Sequence, residues 1–458
     1  MGRDAAVQDL MQCRGCIDAK YDEVALSGAP LTPPPFTDPT FVAARRVQID
    51  KMEMDDKAIV LDNASSELTD FPGPSRLLRS KSMAGGNVLI PLDDNRSDTE
   101  NANRAYWIQR KIGKTAYGTV RIGYVLRRCG SPSDEQNARA LVSGRWTLTP
   151  RVNDNNNFRT GEEYEMVAIK QYEKRKLDQA KGKGINDPFN DFSASQLLSG
   201  HSPDESHILG VKELLTDGQF LYAIFPYCDG GNLHTYVKRN GRLDEVEARY
   251  FFRQILDALE LLQKVGVCHH DICLEHILLH RNGCFLVGKK NCLRIPYMDK
   301  STTQGNDKPD GKPRIRRLIL PHGPLWQKYA APELLSNEAS FDGHTTDLWS
   351  AAIVLFSMLF GGPPFIWASK DDPRFVAISV QGKLSVIATN SFGNVESSGE
   401  NLSQDAADLL QRMLRADPKG RLSLDEVKNH PWVVSESNGR PHLTHKYQNL
   451  VEQKKDSV

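Results

Sequence analysis

Before Tyr106 the apolar positions follow no period; after it they follow two in turn. The stretch YWIQRKIGKTAYGTVRIGYVL (106–126) alternates apolar and polar residues around a Gly-containing turn, as a β-hairpin does. YEMVAIKQY and GQFLYAIFPYC predict two further strands. Past Gly230-Gly231 the period lengthens, and DEVEARYFFRQILDALELLQKVG carries apolar residues at helical spacing, with carboxylates in its first turn. A helix is also expected through 187–199, behind the basic stretch KRKLDQAKGKG, and the remainder is mostly helical to Trp432. The most apolar run, Ala351 to Phe360, has the length of a buried core helix and is too short for a membrane span.

The segments outside these patterns are polar. Residues 1–104 are rich in Pro, Asp, Asn and Ser, and the runs LTPPPFTDP and DDNRSDTENAN predict a disordered N-terminal tail. Ser80 and Ser82 in LLRSKS form a candidate phosphorylation site, of a kind that basic-Ser strings produce often by chance. Residues 127–163 read as a polar loop insertion, marked by Asn-Asp-Asn-Asn-Asn at 153–157, and residues 434–458 as a polar C-terminal tail.

Composition narrows the partners. Lys+Arg and Asp+Glu both number 58 in 458 residues, so there is no global basic footprint for nucleic acid. Eight cysteines without framework spacing fit reduced thiols, which places the protein in the cytosol or nucleus. Cys13 and Cys16 form an isolated CxxC with no second ligand pair nearby, so no metal is expected there. The N-terminus has no basic-then-apolar leader, and Ala6 breaks the myristoylation pattern.

Three motifs carry candidate chemistry. Gly113 to Val120 reads GKTAYGTV, a Gly-rich turn whose backbone N–H groups can approach phosphates; a plain hairpin turn is the bland alternative. Val167-Ala168-Ile169-Lys170 is a strand ending in a lysine, which alone is a common surface feature. HHDICLEHILLHRNGCFLVGKKNCLR occupies 269–294. In this order and spacing the motifs resemble the protein-kinase superfamily, in its Ser/Thr branch, over about residues 106–433. The resemblance implies an α+β fold of two lobes, a small β-rich N-lobe with one main helix and a larger helical C-lobe. The implied domain covers 105–433, with the N-lobe at about 105–226 and the C-lobe at about 227–433.

The same resemblance implies the site residues. ATP is implied at Ile112, Gly113, Gly118, Val120, Ala168, Lys170, Pro226, Cys228 and Leu278, with Val120, Ala168 and Leu278 around the adenine ring and Phe225 behind it. Lys170 stands where a lysine pairs with the α- and β-phosphates, and Asp271 where a carboxylate accepts the substrate hydroxyl proton. Asp191 stands in for the helix Glu that holds that lysine, while Glu333, Asp347 and Arg421 match structural anchors.

The departures are concentrated. Thr115 replaces the second Gly of the loop, His270 the loop Arg, Cys273 the loop Lys, and Ser195 an apolar helix position. His276 and Gly288 replace the two residues that hold magnesium, and Lys289 and Lys290 come next where Phe and Gly are usual. Magnesium takes hard oxygen ligands, so no metal site and no normal magnesium use are expected. The preferred reading is a pseudokinase: a signalling scaffold or allosteric partner that binds ATP weakly and works through proteins. The competing reading is an active Ser/Thr kinase that transfers the γ-phosphate slowly or without normal magnesium use.

Overall fold

Strand alternation builds one half of the protein and helical periodicity the other. The structure, a computed structural model, describes residues 60–61, 77–83, 88–92, 104–128, 141–143, 146–149, 164–180, 195, 198, 201, 203–280, 283–287, 292–294, 298–299, 314–315, 318–319, 328–335, 341–385 and 402–435. The chain divides into a β-rich unit (66–235, 275–294 and 442–458) and a helical unit (1–65, 236–274 and 295–441). This is the α+β composition expected. The strands at 277–287 belong to the β-rich unit, so the boundary expected near residue 226 does not divide the chain cleanly.

The β-rich unit opens with β1 (Leu77–Met83), β2 (Val88–Leu92), β3 (Arg104–Lys114) and β4 (Gly118–Arg128). Next come β5 (Leu141–Ser143), β6 (Trp146–Leu148), β7 (Met166–Glu173), helix α1 (Lys174–Ala180) and β8 (Ile208–Leu209). The last strands are β9 (Glu213–Thr216), β10 (Phe220–Pro226), β11 (Gly231–Asn232), β12 (Ile277–His280) and β13 (Gly283–Val287). Pairing runs β3-β2-β1-β9-β10-β7-β4, and β4 pairs back with β3, so seven strands close a ring. The pair β1–β9 is parallel and the other pairs are antiparallel. An odd ring demands one such pair, because strict alternation of direction closes only over an even number.

The ring encloses a core to which Leu89, Tyr106, Val167, Ile169, Tyr222 and Ile224 belong. Each such side chain contributes roughly 1.5–3 kcal/mol through removal from water. The Tyr106 hydroxyl donates to Glu213 at 2.7 Å, and Arg104 pairs with the same carboxylate. Burial and the Glu213 charge push the Tyr106 phenol well above its usual range.

Two expectations are corrected here. Disorder to residue 104 fails for 77–83 and 88–92, where β1 and β2 complete the ring and Val88 and Leu89 are buried. The insertion at 127–163 is not wholly loop, because β5 and β6 form a hairpin that extends the sheet from β4. In both places the strands are short and each is held by its ladder to neighbouring strands. Cys13 and Cys16, the rest of the two tails, and the side chains of Ser80 and Ser82 lie outside the described residues.

In the helical unit, α2 (Glu245–Lys264) begins where the Asp244 side chain accepts from Glu247 N–H at 2.8 Å. Its apolar face, including Phe251, Phe252, Ile255 and Leu259, is buried. Helix α3 (Gly343–Phe360) is buried almost all round, as the apolar run predicts, and ends at Gly361 with φ +80°. Helix α4 (Gln404–Met413) starts at a Ser403 cap. Trp432 locks the start of α2: its indole N–H donates to Glu245 at 2.7 Å, and the Arg249 guanidinium lies 4.8 Å over its ring. Among the described residues no helix is long and apolar enough to cross a membrane.

Candidate functional site

Period-two alternation separates the ring's core from its outer face. On β7, Val167 and Ile169 enter the core, so Ala168 and Lys170 point the other way. On β10, Tyr222 and Ile224 enter the core, while Ala223 and Phe225 join an outer cluster with Tyr172, Leu209 and Val287. A cleft of about 810 Å³ opens on this outer face, within the β-rich unit. Its size is that of a small-ligand site. Ile112, Gly113, Val120, Ala168, Lys170, Pro226, Cys228 and Leu278 all line it, with Phe225, Tyr227 and Asn232.

Gly118 alone of the expected nucleotide contacts is not among the lining residues. A Cβ there would sit 1.9 Å from the Gln171 carbonyl oxygen, so close strand packing between β4 and β7 requires its glycine. Gly113 differs, since a Cβ would meet Val120 at an ordinary 3.5 Å. Thr115 closes the turn between β3 and β4 by donating its N–H to the Gly118 carbonyl at 2.9 Å.

The Lys170 ammonium lies 4.8 Å over the Phe225 ring, a cation–π contact that holds the charge against the cleft wall. Burial pushes the Cys228 thiol up to about 12, so it remains a neutral thiol near pH 7. Asp191 lies outside the described residues. Ser195 is buried, and its hydroxyl has no hydrogen-bond partner among the described residues. This polar group interrupts the helix position expected to be apolar.

The helical unit holds Asp271. The Asp347 carboxylate, buried in α3, accepts from the backbone N–H groups of His269 at 2.7 Å and His270 at 2.9 Å. These bonds fix the turn that leads into Asp271, whose own N–H donates to His269 Nδ1 at 3.2 Å. His270 sits at φ +60°, an uncommon conformation for a residue with a Cβ, and its ring packs edge-on to Phe341 at 5.3 Å. Arg421 binds Glu333 through two parallel hydrogen bonds of 2.6 and 2.7 Å and lies 4.6 Å over Trp349. Lys170 and Asp271 thus belong to different units, each well anchored in its own.

Magnesium does not fit the expected positions. His276 ends a buried turn, Leu274–His276, and offers imidazole nitrogen. Gly288, outside the described residues with Lys289 and Lys290, offers no side chain at all. A hard cation that takes oxygen ligands gains little from this pair.

Sequence reasoning missed Arg110 and Lys111, which also line the cleft. Two register shifts in β3, between Ile108 and Lys111 and between Lys111 and Gly113, bring four consecutive residues, 110–113, to the cleft. Regular alternation would send every second one away, and bulges are the device that re-aims them.

The family model described as "Protein kinase domain" matches residues 156–433. Among curated proteins, the chain is 32% identical over 238 residues to Protein kinase kin1 of Schizosaccharomyces pombe, covering 51% of this chain and 23% of that protein. It is 29% identical over 279 residues to Serine/threonine-protein kinase SRK2H of Arabidopsis thaliana, covering 60% of this chain and 67% of that protein. Serine/threonine-protein kinase SAPK1 of Oryza sativa subsp. japonica gives 29% over 259 residues, with shares of 56% and 67%. The chain therefore spans from about a quarter to two thirds of the relatives it matches.

Proposed function

The chain belongs to the protein kinase family, and from that premise we propose that it works as a pseudokinase, a signalling scaffold or allosteric partner whose cleft binds an adenine nucleotide weakly. One observation carries this reading: eight of the nine residues expected to contact nucleotide line the cleft, while the two metal positions hold His276 and Gly288. Val120, Ala168 and Leu278 would enclose the base, with Phe225 behind it and Lys170 toward the phosphates. ATP fits such a cleft in size and in chemistry. Its partners would be proteins, recognised by surfaces of the folded domain.

A second reading has its own support. Asp271 remains as a proton acceptor, Lys170 as a phosphate contact, and the relatives' names describe Ser/Thr kinases. On this reading the protein transfers the γ-phosphate slowly. Thermal shift with ATP, with and without magnesium, combined with radiolabel transfer by the native chain and by Asp271→Asn, separates the two. The pseudokinase reading predicts a nucleotide shift without Asp271-dependent transfer. Transfer that disappears in Asp271→Asn would overturn it.

A further inference from the structure

The Lys170 side chain leans in a direction that the strand pairings make readable. Lys170 pairs with Ala223 on one side and Val120 on the other, and Val120 pairs with Gly113, so these four positions form one row across the sheet. Phe225 belongs to the next row, opposite Ala168. The row on the other side joins Gly118 to Tyr172, and beyond it lies the turn that the Thr115 N–H closes. The Lys170 ammonium lies 4.8 Å over the Phe225 ring. Its side chain therefore leans along the diagonal toward Phe225, a reach open to long side chains, and away from the Gly-containing turn.

The surroundings favour that position. Phe225 is 4% exposed and Lys170 is half-buried, so the attraction between ammonium and ring face is stronger than at an open surface. No carboxylate lines the cleft among the described residues. Ala223 and Val120, beside Lys170 in its row, have no polar atom in their side chains. The base belongs on the Phe225 side of this row and the phosphates on the side of the turn. A polyphosphate thus gains the ammonium only when the ammonium leaves the ring, whereas a nucleoside leaves the contact as it stands.

Resting on the reading of this cleft as a nucleotide site, we propose that Phe225 determines its selectivity between nucleotide and nucleoside. The ring retains the Lys170 ammonium, and ATP engages that charge by breaking the cation–π contact. Weak ATP binding then has a source inside the cleft, separate from the altered metal positions. Phe225 acts here through Lys170, as a positioning residue, in addition to any contact it makes with the base.

The test is a calorimetric titration of the full-length chain with ATP and with adenosine, both in chelator, read as the ratio of the two affinities. Placing trifluorophenylalanine at position 225 nearly keeps the ring's shape and removes most of the negative charge from its face. The preference for ATP over adenosine rises about threefold in that chain, and likewise in Phe225→Leu, which removes the ring. In a Lys170→Met background neither change moves the ratio, because no ammonium is held. A purely steric role for Phe225 alters both ligands alike and leaves the ratio fixed throughout. An unchanged or lower ratio in the fluorinated chain, or a rise that persists with Lys170→Met, overturns the proposal while the nucleotide reading stands. ATP binding by a native chain that takes no adenosine overturns it in the same way. If the native chain binds neither ligand, both readings fall.

Discussion

At the scale of single residues, Asp347 ties a buried charge to the backbone that carries Asp271. Burial, opposed by those two N–H bonds, pushes its carboxyl up to about 7 from an ordinary 3.8. The folded chain therefore holds this proton more tightly than the unfolded chain does. The stability this gives is complete below about pH 4 and is lost as pH rises through about 7. Asp347→Asn should flatten that part of the pH–stability curve and cost about 1–3 kcal/mol, because its amide turns a donor toward a buried N–H. Thermal melts of both chains across this range check it; parallel slopes would mean that the carboxyl is ionised throughout. Gly118→Ala should cost about 1–3 kcal/mol in urea unfolding, since the new methyl meets a carbonyl oxygen instead of a flexible side chain. The anchors Glu333, Asp347 and Arg421 were legible from position alone, because short motifs preserve spacing. Gly118 was legible as a glycine but not in its reason, which depends on how near β7 approaches.

At the scale of elements, what the sequence concealed was pairing. The strand LLRSKSM has alternating charges and hydroxyls, and VLIPL contains a proline, so neither reads as part of a closed sheet. Their hydrogen bonds come from β3 and β9, which no local pattern announces. VAIK, by contrast, reads correctly at both levels: Val167 and Ile169 enter the core while Ala168 and Lys170 face the cleft. A chain shortened to begin at residue 104 lacks β1 and β2 and leaves β3 and β9 each with an unpaired edge. It should melt several degrees lower and self-associate in sedimentation, as open edges do. A monomer with unchanged melting would show that closure adds nothing.

At the scale of the whole molecule, the α+β class and most of the cleft lining were readable, because both rest on periodicity and motif order. The cations at 110 and 111 were not, because bulges change which residues face a cleft without changing composition. Ring closure was equally hidden, and it carries a consequence in time. β1 is synthesised well before β9, its parallel partner, and until β9 emerges its native pairing is confined to β2. The entropy of drawing together such distant segments must be met before their contacts return anything. The seam between the earliest strand and a much later one is thus the natural last step of folding and first step of opening. The cleft wall, built largely on β3, β4, β7 and β10, shares one closed sheet with that seam.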